Sequence, residues 1–263
     1  ADPVSGWQRT CSATDTISQD TAEAITAALA GQVASLIVPS DIQWSDCADP
    51  KIHLPKISTA SIDKDSITLA AEVLHAEQKS ALILGGRALR KEGLMAAARI
   101  KARTGCDLLS ERAPARIERG AGIPPTEVIP YFPRQALELL SGYRAIVLAG
   151  TGEPVTFFGW QGYPSRLLND TQHICQLKAD DKKLPQALTD LADALDAPGK
   201  IAAPDVDASK IARPKIPRGK LTANNAGIIL AALQPEHAII VNESITSGGA
   251  YLPGPSGPRE HRP

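Results

Sequence analysis

The sequence predicts an α/β fold, a parallel sheet with helices on both faces. Short apolar runs, ALILGG (residues 81–86) and RAIVLAG (144–150), break at glycines as buried strands do. Stripes of helical spacing separate such runs, and the cleanest is Leu184, Ala187, Leu188, Leu191 and Leu195. Strands and helices therefore alternate, and parallel neighbours need crossover connections of that kind.

In chain order, DTAEAITAAL (20–29) is the first helix, with Asp20 as its cap and Glu23 three positions on. Gly31 ends it, and VASLIVP (33–39) follows as a continuous apolar strand suited to a fully buried parallel position. The proline-marked segment 46–56 reads as a linker. Ile67, Ala70, Val73 and Leu74 mark the next helix, and the strand 81–86 follows. A helix over 87–103 turns Leu94, Ala97 and Ile100 inward, and CDLLSE (106–111) is the next strand. Residues 112–131 form a long loop rich in Arg, Pro and Gly, of a length that is usually functional or mobile.

Pro133 suits a first helical turn, and Ala136, Leu137 and Leu140 continue that helix. RAIVLAG, VTFFG (155–159) and HICQLK (173–178) are strands. Residues 197–220 read as an interdomain linker. The tail 221–251 is one α–β unit, a helix running into the apolar strand HAIIVNE (237–243) and the loop SITSGG, and 253–263 fray.

Lys plus Arg at 28 against Asp plus Glu at 29 leaves a formal charge of −1, which argues against a nucleic-acid partner. No apolar run approaches the ~20 residues of a membrane span. The amino end lacks a basic start followed by an apolar block, so no signal peptide is expected. Cys11, Cys47, Cys106 and Cys175 are scattered without a CxxC pair, so reduced thiols and a cytoplasmic location are expected, with no zinc site.

Four loops invite a ligand, and each has a plainer role. Gly85-Gly86 after a strand lets a backbone approach a phosphate at a helix start, or merely turns the chain. AGTGEPV (149–155) repeats the pattern with Gly150, Gly152 and the acceptor Glu153, or is a tight turn. FFGWQGYPSR (157–166) concentrates aromatics: Phe158, Trp160 and Tyr163 form a pocket wall with Arg166 ready for a carboxylate, or anchor a surface loop. NESITSGG (242–249) offers hydroxyls from Ser244, Thr246 and Ser247 with amides at Gly248 and Gly249, or is a polar loop. No Ser–His–acid set, HExxH or Walker-type loop is present, and the histidines are dispersed. Residues alone thus reach an α/β protein with ligand-sized loops, including a non-catalytic NAD- or FAD-binding module built on the Gly85 and Gly150 loops.

Taken in order, four segments resemble thiamine-diphosphate-dependent enzymes of the acetolactate synthase and benzoylformate decarboxylase branch. DTAEAITAALAGQVASLIVPSDIQW is similar to the last helix and strand of the pyrimidine-binding domain, and ALILGGRALRKEG resembles the first strand–turn–helix of the central Rossmann-like domain. GEPVTFFGWQGYPS is similar to the central-domain loop that approaches the substrate in decarboxylase members, and VNESITSGG to the first strand and loop of the diphosphate-binding domain. The resemblance implies a remnant of the pyrimidine domain at 1–48, the central domain at 58–197, a linker at 198–220 and the start of the diphosphate domain at 221–263. It implies diphosphate contacts from Ser244, Ile245, Thr246 and Ser247, and a substrate pocket from Phe158, Gly159, Trp160 and Tyr163. Where benzoylformate decarboxylases carry a histidine in that loop, Gly159 stands here, which favours the acetolactate-synthase-like branch.

The resemblance further implies thiamine diphosphate and Mg2+ in the complete enzyme, a 2-oxo acid substrate and a homo-dimer or tetramer. FAD has no motif to support it. The family's catalytic glutamate would lie upstream of Ala1 and its GDG…NN run beyond Pro263, so no catalytic or metal-binding residue is expected in this chain. An internal slice, inactive by itself, is the expectation.

Overall fold

The computed structural model describes residues 2–47, 52–53, 61–76, 79–120, 122–199, 214–235, 237–244 and 247. It divides into Ala1–Asp63 with Lys178–Lys183, and Lys64–Leu177 with Leu184–Pro263. In the first unit, Asp63 N–H donates to the Lys178 carbonyl at 3.0 Å, tying its two stretches together.

The first unit contains β1 (Trp7–Thr10), α1 (Ile17–Leu29), β2 (Ala34–Ile37) and the single turn α2 (Ser40–Gln43). β1 and β2 pair in parallel, with Trp7 opposite Ala34 and Thr10 opposite Ile37. WQRT carries no apolar run, which is why sequence reasoning passed over β1. α1 starts at Ile17 rather than at Asp20, and Asp20 does not cap it. That carboxylate is buried inside the first turns, where it accepts from Arg9 Nη1 at 2.8 Å and Thr16 Oγ1 at 3.1 Å. β2 is half-buried instead of fully buried, with Ile37 exposed, because a two-stranded sheet has no inner position.

The second unit runs α3 (Lys64–Ala76), β3 (Ser80–Leu84), α4 (Lys91–Thr104), β4 (Asp107–Ser110), β5 (Glu127–Val128) and α5 (Pro133–Leu140). It continues through β6 (Ala145–Ala149), β7 (His173–Leu177), α6 (Leu184–Ala194) and α7 (Ala223–Leu233). Five strands pair in the order β5-β4-β3-β6-β7, all in parallel. The chain enters at the central β3, steps outward to β4 and β5, then crosses back to β6. The strand order therefore reverses between β3 and β6, the place where open sheets of this type form a crevice.

Every residue of β3 and β6 is buried, as sheets covered on both faces demand. On one face Ala136 and Leu140 of α5 join Ile83, Leu109, Ile146 and Leu148 in one core. On the other, α4 and α6 pack together, burying Leu94, Ile100, Leu188 and Leu191. Each such side chain contributes about 1.5–3 kcal/mol when taken from water.

Sequence expectation and structure part at several joints. The helix expected over 87–103 is a 3-10 turn, Gly86–Leu89, then α4 after an extended Arg90. Gly105, at φ 76°, ends α4 in the left-handed conformation that glycine adopts without strain. The long loop contains β5. VTFFG is not a strand: one antiparallel bridge, Val155 to Arg166, is all its pairing. The tail helix forms as α7, where Thr222 Oγ1 accepts from Asn225 N–H at 3.1 Å. The described part of HAIIVNE, 237–243, is not a strand either, and Ile239 and Val241 are 78% and 80% exposed. Among the described residues no helix is long and apolar enough to cross a membrane.

Candidate functional site

At the carboxyl ends of β3 and β6 the two glycine loops lie against each other. A Cβ on Gly85 would sit 2.6 Å from the Gly150 carbonyl, and one on Gly150 2.5 Å from the Gly85 carbonyl. Gly150 also holds φ at 75°. Backbone against backbone explains glycine at both positions without a phosphate. Beside them Gly86 N–H reaches Glu111 Oε1 at 3.4 Å, and Thr151 Oγ1 donates to Glu111 Oε2 at 3.3 Å. At the start of α4, Lys91 N–H donates to Glu118 Oε2 at 2.6 Å. Arg90 and Arg116 each approach the other oxygen of Glu118 at 3.7 Å.

A cleft of about 200 Å³ opens next to this crevice, lined by Glu111, Arg112, Tyr131, Thr151, Glu153 and Phe157 over an apolar floor that includes Ile83 and Leu167. The Arg112 guanidinium lies 5.6 Å from the centre of the Tyr131 ring, a cation–π distance. One wall is a tongue formed by residues 153–168. Its two legs are tied by Thr156 N–H to the Ser165 carbonyl at 2.9 Å and Leu167 N–H to the Pro154 carbonyl at 3.2 Å. At its base Arg166 donates through Nε and Nη2 to Glu153 Oε2, at 3.1 and 2.9 Å, and through Nη1 to Asp170 at 3.3 Å. The Glu153 bonds raise the Arg166 pKa above its ordinary value. The carboxylate that Arg166 holds thus belongs to the chain itself.

The tongue carries the aromatic residues. Trp160 stacks edge-on against Tyr131 at 6.5 Å and Phe132 at 5.7 Å, and Phe157 meets Tyr131 at 5.9 Å. Phe158 is exposed and touches Phe157 edge-on at 4.9 Å. Tyr163 is exposed, with its backbone N–H donating to the Trp160 carbonyl at 3.1 Å. A Cβ at Gly159 would meet nothing within 4 Å. The indole N–H of Trp160 is buried without a hydrogen-bond partner among the described residues. Of the ring-bearing positions singled out in sequence, none lines the cleft; Phe157 and Tyr131 do.

In the tail, the Ser244 N–H and hydroxyl both turn back on Asn242 Oδ1, the N–H at 3.0 Å. Ser244 and Ser247 are exposed, and Ile245 and Thr246 lie outside the described residues. Among the described residues no hydrogen bond or ring contact joins Ser244 or Ser247 to Phe158, Gly159, Trp160 or Tyr163. Sequence reasoning missed Glu111, Glu118 and Tyr131. A signal existed for Glu111, which directly follows an apolar strand, where ligand loops of parallel sheets begin.

No protein-family model matches the chain. A curated protein of Mycobacterium tuberculosis H37Rv, described as "Putative acetolactate synthase large subunit IlvX", is 40% identical over 250 residues, 94% of this chain and 47% of that protein. The chain therefore spans about half the length of the curated relative it matches. Among solved structures, a thiamine diphosphate-dependent 4-hydroxybenzoylformate decarboxylase of Rhodococcus jostii RHA1 superposes with a TM-score of 0.66 at 18% identity, over 95% of this chain and 50% of its own. Benzoylformate decarboxylase of Polynucleobacter necessarius gives 0.54 at 13% identity, over 89% and 46%. At such identities the superpositions establish a shared fold.

Proposed function

We infer the function from kinship: the chain is a relative of thiamine-diphosphate-dependent enzymes of the acetolactate synthase large-subunit type. The observation that carries the reading is 40% identity across 94% of the chain. In this reading the complete protein removes carbon dioxide from a 2-oxo acid and joins the remaining fragment to a second carbonyl. Thiamine diphosphate, when bound, supplies the carbanion chemistry, and the protein supplies orientation. Residues 1–48 belong to a pyrimidine-binding domain, 58–197 to the central domain, 198–220 to a linker and 221–263 to the start of a diphosphate-binding domain.

Within this chain the proposal gives Ser244, Ile245, Thr246 and Ser247 to the phosphate end of the cofactor. The exposed hydroxyls of Ser244 and Ser247 suit such acceptors, once the Ser244 hydroxyl leaves Asn242. Magnesium has no comparable set: among the described residues no three His, Cys, Asp or Glu converge. The same reading gives the substrate pocket to Phe158, Gly159, Trp160 and Tyr163 of the tongue. Gly159 supplies no imidazole there, which separates this chain from histidine-dependent decarboxylases. In this reading the protein works in the cytosol as a homo-dimer or tetramer, and these 263 residues alone do not turn over substrate.

Expression of the complete protein that contains these residues, supplied with thiamine diphosphate, Mg2+ and pyruvate, is expected to yield acetolactate and carbon dioxide. Carbon dioxide from benzoylformate without carboligation would move the assignment to a decarboxylase. Failure to turn over any 2-oxo acid sinks it.

A further inference from the structure

The reversal of strand order between β3 and β6 is where a doubly wound sheet receives a dinucleotide, with the pyrophosphate on the amides of the first strand–helix turn. In this chain those amides already have anions. Gly86 N–H faces Glu111 Oε1 at 3.4 Å, and Lys91 N–H, the first of α4, donates to Glu118 Oε2 at 2.6 Å. The segment carrying Glu118 is itself anchored, because Glu118 N–H donates to the Leu89 carbonyl at 3.0 Å. Behind them Gly85 and Gly150 meet backbone to backbone, with no room for a Cβ on either. The residues present do not fit the pyrophosphate of FAD or NAD.

We propose that Glu111 and Glu118 are built-in anions that close this crevice to dinucleotide pyrophosphate, making them the specificity determinants of the central sheet. A carboxylate on a helix start gains from the same amides and dipole that would attract a phosphate, and it occupies the donors a second anion would need. Arg90 and Arg116, each 3.7 Å from Glu118, neutralise it in place. Removing the carboxylates leaves two guanidinium groups around bare amides, a composition that favours phosphate oxygens.

The test titrates the full chain and its Glu111→Ala/Glu118→Ala variant with inorganic pyrophosphate, ADP and FAD by calorimetry, with circular dichroism to confirm folding. The wild type is expected to bind each more weakly than about 1 mM, and the variant to bind pyrophosphate at least about tenfold more tightly. Wild-type binding of FAD or pyrophosphate below about 0.1 mM overturns the proposal, as does a folded variant as indifferent as the wild type. Should the double variant not fold, Glu118→Gln keeps the acceptor and removes the charge. Pyrophosphate must then slow amide exchange at Lys91 in Glu118→Gln and not in the wild type, and equal behaviour overturns the proposal. Acetolactate formation from pyruvate by the complete protein, wild type and variant, tests the catalytic reading separately, because the tail contacts proposed for thiamine diphosphate are untouched by either substitution.

Discussion

Asp20 shows how one carboxylate can be drawn away from the role its position suggests. Burial raises its proton affinity, but hydrogen bonds from Arg9, Cys11 and Thr16 outweigh that and hold it below the usual carboxylate range. Burial, and then the bond to Asp20, pushes the Cys11 thiol up. Because the folded pKa of Asp20 lies below the unfolded value, its stabilisation is complete above about pH 4 and is lost as pH falls through the lowered value. Asp20→Asn is expected to lose about 1–2 kcal/mol in urea melts at neutral pH, with the difference shrinking below about pH 3. A difference that does not change with pH would show that the charge contributes nothing.

The segment 237–244 follows a properly capped helix and has the composition of a buried strand, yet it pairs with nothing among the described residues. A strand forms only where a neighbour offers a ladder, and apolar composition cannot substitute for one. Ala238 N–H to the Pro235 carbonyl at 3.4 Å and Ser244 N–H to Asn242 are the backbone donors engaged there. In hydrogen exchange, amides 239–243 of the chain are expected to exchange orders of magnitude faster than those of β3 and β6. Protection equal to that of β6 would mean that the segment has found a partner strand. The tongue illustrates the same rule, since VTFFG has strand composition and obtains a single bridge.

The two units differ in how much apolar surface they remove from water. The second buries whole strands, whereas the first has two half-buried strands and leaves Val33, Ile37 and Trp44 exposed. Small cores are marginal, so the first unit is expected to open at lower denaturant than the second. All four cysteines are thiols and report on this directly: Cys47 is exposed, Cys11 is buried in the first unit, and Cys106 and Cys175 are buried in the second. Pulse labelling across a urea series should modify Cys47 first, then Cys11, and Cys106 and Cys175 last. Labelling of Cys11 together with Cys106 and Cys175 would show a single cooperative unit instead.

Much of this architecture was legible in one dimension. β3, β6, α5 and α6 carry unbroken apolar runs or helical stripes, and buried area is a local property that such patterns report. The aromatic tongue and the acidic residue beside Gly152 were visible as well, along with Arg166 and its appetite for a carboxylate. Pairing was not legible, because a ladder or an ion pair depends on a partner far away in the chain. Hence β1, β5, the Arg9–Asp20 bond and the Glu118 cap on α4 emerged only from the folded chain. The glycine loops make the same point most plainly. A glycine that receives a phosphate and a glycine that receives another backbone are identical letters, and the fold alone placed Gly150 against Gly85 and a glutamate where an anion would go.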